Sequence, residues 1–391
     1  MTIKPTIEFF PVDNGDMTLV TLENGQKILI DINIRKDADD DANQDCPDVA
    51  VMLRKRLNED SEGRPYVDAF LLSHPDADHC RGLNRHFHLG ALSEYKHDED
   101  SDEPKKIIIR EMWSSPIIFR RKHAVNHNLC DDAAAWAKEA RRRVNLYKST
   151  RKMLEGDRIQ ILGEDKKDKT NDILEIVVKT GGKISKVNDN YAPFSALLLA
   201  PQLLSDKEAE DLSINRKNHS SVVLRFNLHV ESNQEAGLFL TGGDAEVENW
   251  KNIWLRNNSY PDRLKYNVMQ APHHCSWGVL SCDSWSKSKN PKVDADARSA
   301  LSQATNNAFI VASCKIISPD SADPPCVGAA DEYKEILKEN GRQGIFLCTA
   351  NECDDDVLLI TIGDSGPSNK DDDDSSNPSK PTNKQGGGRY A

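Results

Sequence analysis

The stretch Ala69-Phe70-Leu71-Leu72-Ser73-His74-Pro75-Asp76-Ala77-Asp78-His79-Cys80-Arg81-Gly82 sets an apolar run directly before two histidines and two aspartates. A short apolar run bounded by turn residues reads as a buried strand. A strand brings its last side chains to one edge of a sheet, and a tight loop beyond it can aim several donors at one point, as metal sites require. An isolated His-x-Asp in a polar loop is ordinarily a solvated turn. Two later stretches argue against that reading here. Leu238-Phe239-Leu240-Thr241-Gly242-Gly243-Asp244 and Val268-Met269-Gln270-Ala271-Pro272-His273-His274 each deposit Asp or His at the end of an apolar run of their own. Three such strand ends point to one metal centre, and a centre assembled from positions 74 to 274 requires one domain folded across most of the chain.

Working outward, the 391 residues suffice for a single large domain with insertions. Residues 1–363 carry the alternating strand and helix signals, and 364–391 fall into Ser, Asn, Pro, Lys and Asp, which reads as a disordered tail that could dock a protein partner. The nine cysteines are irregularly spaced and include no C-x-x-C pair, the pattern of reduced thiols in a cytoplasmic protein. No run approaches the roughly 18 apolar residues of a membrane span, so no membrane partner is expected. The net charge of −12 disfavours long-range attraction to nucleic acid, but positions 105 to 158 hold fourteen Lys or Arg against six Asp or Glu. That local reversal, an insertion around 110–155 including Arg141, Arg142 and Arg143, offers a basic surface unless it is only the solvated face of a helix.

Residues 6–10, 17–22 and 27–32 read as three consecutive strands, with short turns at Asn14-Gly15 and Asn24-Gly25. The third is apolar on both faces and hence central, which makes Asp31 costly unless it is paired. Residues 49–57 have helical spacing. A helix is expected over 81–88 with its N-terminus, and therefore its positive dipole end, near the metals. Residues 106–110 form a strand, and Asp131 and Asp132 cap a helix whose buried stripe is Trp136, Ala140, Val144 and Tyr147, with Arg141 to Arg143 facing mostly away. Strands follow at 156–162 and 195–200, separated by a Gly- and Lys-rich loop. Further strands fall at 222–226, 308–312, 344–348 and 357–362, and helices begin near 247 and 329. Alternation on this scale implies a mixed α/β fold of two mixed sheets packed together and flanked by helices, an αββα sandwich.

The segments SHPDADHCRGL, LTGGDAE and APHHCSWG resemble the metal motifs of the metallo-β-lactamase superfamily, whose signature is H-x-H-x-D-H, a later Asp and a late His. IEFFPVDNGDMTLVTL, QKILIDI and NHSSVVLRF extend the likeness to the metallo-β-lactamase domain of the DNA-uptake protein ComEC, in a soluble, stand-alone version. The resemblance implies two divalent ions. His74 and Asp76, with a later His (His219, or one of His273 and His274), would hold one, Asp78 and His79 the other, and Asp244 would bridge them. Asp31 would orient a ligand from beneath, and Asp78, Asp31 and His274 form the candidate catalytic group. Paired ions at this spacing lower the pKa of a shared water to about 7, supplying a metal-bound hydroxide without a Ser or Cys nucleophile.

Two departures qualify the likeness. Asp76 stands where the motif has its second His, a harder donor that shifts preference from Zn²⁺ toward Mn²⁺ or Mg²⁺. No His follows His274; Asp320 or Asp323 occupies the region where relatives place one. The expected activity is that of a metal-dependent hydrolase, a phosphodiesterase or nuclease acting on nucleic acid. The alternatives are a hydrolase of a small phosphodiester, lactone or thioester, or a degenerate metal-binding interaction module.

Overall fold

The computed structural model describes residues 3–39, 46–98, 100, 102–116, 129–164, 170–202, 217–321, 323–353 and 356–369. Two large sheets dominate the mixed α/β fold. The first has nine strands in the order Val177–Val178, Arg158–Leu162, Glu111–Ser114, Ala69–Leu72, Lys27–Ile30, Thr18–Thr21, Thr6–Phe9, Leu358–Gly363 and Gly366–Asn369. The second has seven, in the order Lys183–Val187, Asn190–Ala200, Val223–Val230, Asn233–Thr241, Tyr266–Gln270, Ala304–Ala312 and Ile345–Cys348. A small third sheet joins Asn58–Glu59, Pro65–Val67 and Ile108–Ile109.

Side-chain alternation explains why these sheets stack. In the first sheet Ile7, Phe9, Ile28, Ile30 and Leu71 point to one face, and they form a common core with Phe194, Phe226, Phe239, Val268 and Val311 of the second. Their neighbours in sequence point outward. Leu29, Phe70 and Leu72 pack under Trp136, Ala140 and Val144 of the helix Asp131–Thr150, while Leu240, Met269 and Ile310 pack under Trp250 of Val247–Asn257 and Tyr333 of Val327–Lys338. The result is four layers, helix, sheet, sheet, helix, with apolar side chains on both faces of each sheet.

The strand Ala69–Leu72 lies where the long opening run suggests, parallel to Lys27–Ile30 on one side and Glu111–Ser114 on the other. Several expectations change in detail. Asp31 has a φ of 53°, which splits the third strand into Lys27–Ile30 and Ile32–Asn33. No continuous helix covers 81–88: Ala77–Cys80 is one turn, Arg81 is extended, and Leu83–His86 is a second turn after Gly82 at φ 95°. A single turn carries no appreciable macrodipole, so the expected anion-attracting helix end is absent. Cys130, and not Asp131 or Asp132, caps Asp131–Thr150, its Sγ accepting from the Ala133 amide; Asp132 instead accepts from the Gly82 and Asn84 amides. The loop expected before 195 contains Lys183–Val187, and the second strand starts already at Asn190.

The start of the tail expected over 364–391 moves. Gly366–Asn369 pairs antiparallel with Leu358–Gly363, so the fold runs at least to 369; the rest of that segment lies outside the described residues. No helix among the described residues is long and apolar enough to cross a membrane.

The basic helix departs furthest from expectation. Arg143 is 2% exposed; its Nε donates to Glu139 at 2.8 Å and its terminal nitrogens to the carbonyls of Arg158 and Ile109. Arg142 pairs with Glu139 at 2.7 Å and Asp157 at 2.7 Å. Arg143 is thus an internal tie, and Arg142, with 30% of its side chain exposed, is held by two carboxylates. The run Arg120-Arg121-Lys122 lies outside the described residues.

Candidate metal centre

Four loops converge at one edge of the two sheets. Ala69–Leu72 ends in Ser73-His74, and the single turn Ala77–Cys80 carries Asp78 and His79. Asn233–Thr241 ends in Gly242-Gly243-Asp244. A Cβ on Gly243, which has a φ of +47°, would stand 2.5 Å from Ser73 Oγ; only glycine lets these two loops meet. Tyr266–Gln270 ends in Ala271 and the turn Pro272–Cys275, where His273, His274 and Cys275 hold φ angles of 51°, 51° and 65°. Such left-handed residues without glycine are strained by about 1–3 kcal/mol each and persist only where surrounding contacts fix them. Here the His273 amide donates to the Gly243 carbonyl at 2.9 Å.

The fourth loop is the residue missed from sequence. Asp16 lies between Thr6–Phe9 and Thr18–Thr21, and its amide donates to the Asp78 carbonyl at 3.2 Å. A Cβ on Gly15 would meet the Asn33 side chain at 2.2 Å and the Asp78 carbonyl at 2.9 Å. Asn14-Gly15 is thus more than a turn signal: the glycine admits the loop to the centre. The available clue was the length of the connection, residues 10–17, far longer than an Asn-Gly hairpin needs.

Asp244, 3% exposed, stands at the middle with one carboxylate oxygen toward each of two groups. Its Oδ1 lies 3.0 Å from His79 Nε2 and 3.4 Å from His274 Nε2, and His274 Nε2 is 3.3 Å from Asp78 Oδ2. Its Oδ2 lies 3.4 Å from His74 Nε2 and 3.6 Å from His273 Nε2, and His74 Nε2 is 3.7 Å from Asp76 Oδ2. Asp16 Oδ1 is 3.4 Å from His274 Nδ1. One ligand atom from each of Asp16, His79, Asp244 and His274 lies within 4.8 Å of all the others, and this buried set could hold a metal ion.

The polar bookkeeping of the cluster fits a cation. His74 Nε2, His79 Nε2, His274 Nε2 and Asp244 Oδ1 are buried without a hydrogen bond. Buried polar atoms are ordinarily satisfied, and a cation held among these would satisfy them together. Asp31 sits beneath, accepting from the Ser73 amide at 2.7 Å, Ser73 Oγ at 2.5 Å and His79 Nδ1 at 2.8 Å. Asp31 holds the His79 Nδ1 proton, so Nε2 is the ring atom turned toward Asp244, and with an ion bound it would offer its lone pair there. Burial opposes charge on both His79 and His274, but the facing carboxylates outweigh it: Asp244 and Asp31 push His79 well up, and Asp244, Asp16 and Asp78 push His274 up to about 10. Burial likewise opposes ionisation of Asp244, yet the surrounding histidines hold its carboxyl well below the ordinary range. Positive charge on the histidines is thus stabilised by the facing carboxylates.

Of the residues expected at the site, His74, Asp76, Asp78, His79, Asp244 and His273 are brought together, and Asp31 lies beneath as expected. His274, named for catalysis and as one of two possible late ligands, sits at 1% exposure in the buried set with Asp16, His79 and Asp244. His219 falls in the turn Lys217–Ser220, but its side chain lies outside the described residues. Neither late aspartate belongs to the buried set of Asp16, His79, Asp244 and His274; Asp323 Oδ1 accepts from the Trp277 amide at 3.1 Å, and Asp320 is exposed. No protein-family model matches the chain, and no curated protein matches it.

Proposed function

We propose that the chain is a metal-dependent hydrolase of the metallo-β-lactamase type, acting on phosphodiesters, with nucleic acid as the substrate class. One observation carries this reading: Asp244 offers its two oxygens to two separate groups of His and Asp, the arrangement a pair of divalent ions requires. His74, Asp76 and His273 would hold one ion and Asp78, His79 and His274 the other, with Asp244 shared and Asp16 beside His274. Four carboxylates among these donors favour Mn²⁺ or Mg²⁺ over an all-nitrogen zinc site, and such hard ions suit phosphate oxygens. When bound, the ions supply neutralisation of phosphoryl charge and acidification of water. The chain's own residues position: Asp31 fixes the His79 ring, Ser73 ties Asp31 to the His74 loop, and the buried loops exclude bulk water from one side.

A second reading, hydrolysis of a small phosphodiester, lactone or thioester, is favoured by the internal pairing of Arg142 and Arg143, which removes much of the expected phosphate-binding surface. The test is elemental analysis of the purified chain together with cleavage of labelled single- and double-stranded DNA in Mn²⁺, Zn²⁺ and Mg²⁺, comparing wild type with Asp78→Ala and Asp244→Ala. DNA cleavage lost in both variants supports the nuclease reading. About two bound ions without DNA cleavage favours RNA or small esters, and absence of metal and activity favours an interaction module.

A further inference from the structure

Outside the metal cluster, the structure places two thiols together across the seam between the His79 turn and the longest helix. Cys80 Sγ lies 3.7 Å from Cys130 Sγ, although the residues are 50 positions apart. Cys80 is 1% exposed and directly follows His79; Cys130 is partly exposed and is the N-cap of the 20-residue helix Asp131–Thr150. We propose that Cys80 and Cys130 are an oxidisable thiol pair, a modification site at which hydrogen peroxide closes a disulfide that pulls on the turn carrying Asp78 and His79.

Three features of the fold support this. The Cys130 sulfur accepts from the Ala133 amide at 3.4 Å, where the first turn of a long helix favours negative charge on a thiolate. The hydrogen bond with Cys80, then that amide, outweigh burial and bring the Cys130 thiol down to about 6. Asp132 accepts from the Gly82 amide at 2.9 Å and the Asn84 amide at 2.8 Å, which keeps the helix start and the loop after Cys80 in register. Proximity alone does not make an oxidisable pair. Cys314 and Cys348 are also 3.7 Å apart, but both are buried, at 0% and 4%, so neither offers a sulfur to an oxidant in solution.

The chemistry balances with the peroxide as the only added reagent. The Cys130 thiolate attacks one peroxide oxygen, the O–O bond breaks, and the departing hydroxide takes the proton released by the thiol to leave water and a Cys130 sulfenic acid. The Cys80 sulfur then attacks the Cys130 sulfur; the S–O bond breaks, and the hydroxyl leaves with the Cys80 proton as a second water. Two thiols are oxidised by two electrons in total and the peroxide is reduced. A disulfide needs its sulfurs about 2.05 Å apart, so closure must draw Cys80 toward the helix. Asp78 and His79 share its single turn and move with it.

The test treats the reduced full-length chain with one equivalent of hydrogen peroxide, maps cysteine peptides by mass, and titrates Mn²⁺ calorimetrically before and after. Mn²⁺ is chosen because thiolates bind it poorly. The expected result is a Cys80–Cys130 linked peptide lighter by two hydrogens, with Mn²⁺ affinity lowered at least about tenfold, in line with loss of ligand alignment, and restored by dithiothreitol. Cys130→Ser, which retains a favoured N-cap, should keep its Mn²⁺ affinity through the same treatment. The proposal is overturned if Cys80 stays a free thiol while Cys130 is over-oxidised, if Cys314 and Cys348 link first, or if the mapped link leaves Mn²⁺ affinity unchanged. The metal readout rests on the proposed centre, whereas the peptide map does not: a reduced chain that binds no Mn²⁺ counts against the hydrolase reading, and the map still decides the thiol pair.

Discussion

Asp244 and Asp31 occupy two different places in the buried His and Asp cluster. Asp244 faces four histidine nitrogens at 3.0 to 3.6 Å, so its removal takes a donor from both groups at once. Asp244→Ala is expected to abolish Mn²⁺ binding by calorimetry and, without metal, to cost about 3–5 kcal/mol in urea unfolding because buried charged histidines lose their partner. Asp31 acts through His79 and Ser73, and Asp31→Ala should weaken Mn²⁺ binding by about 10- to 100-fold while leaving the stoichiometry unchanged. A third residue, His86, is buried beside Arg54; burial first, then the charges of Arg54, Arg85 and Lys106, push its pKa down to about 3. The unfolded chain, with a His pKa near 6.5, therefore binds more protons than the folded chain in mild acid. Stability is lost as pH falls below about 6.5 and levels off only near the folded pKa, by about 2 kcal/mol between pH 7 and 5. His86→Gln should remove most of that loss in urea titrations at the two pH values.

At the scale of elements, the helix Asp131–Thr150 shows how a charge pattern misleads when partners are distant in sequence. Three arginines in a row read as a surface, but Glu139 sits one turn before Arg143, and the strand carbonyls of Arg158 and Ile109 complete the socket. Glu139→Ala is expected to destabilise the chain by about 3–5 kcal/mol, since it strands a buried guanidinium, with little change in the slope of the urea transition. Charge reversal across 141–143 would accordingly report on folding before it reported on substrate. The same helix caps the metal loop through Asp132, which was expected to cap its own N-terminus. Helix turns of four residues, Ala77–Cys80 and Leu83–His86, have no propensity signal long enough to read, and the extended Arg81 between them follows from its bridge to Asn33.

For the whole molecule, the last hairpin is part of the fold. Leu358–Gly363 pairs with Thr6–Phe9, joining chain end to chain start, and Gly366–Asn369 covers its outer edge, while the Asp364 carbonyl accepts from Asn233 of the second sheet at 3.0 Å. A chain ending at Gly363 should therefore melt at a lower temperature than one ending at Asn369, as differential scanning calorimetry would reveal. The sequence by itself determined the strands that end in His and Asp, the apolar stripe of Trp136, Ala140, Val144 and Tyr147, the mixed α/β layering and the need to pair Asp31. Those features are local: period, apolar run length and the cost of a buried charge are readable within a dozen residues. Only the tertiary structure decided that Asp16 joins His79, Asp244 and His274, that Arg143 is buried and Arg142 paired, and that Cys80 meets Cys130. Each depends on segments far apart in sequence meeting in the fold, and such contacts leave no trace in the periodicity of any one segment.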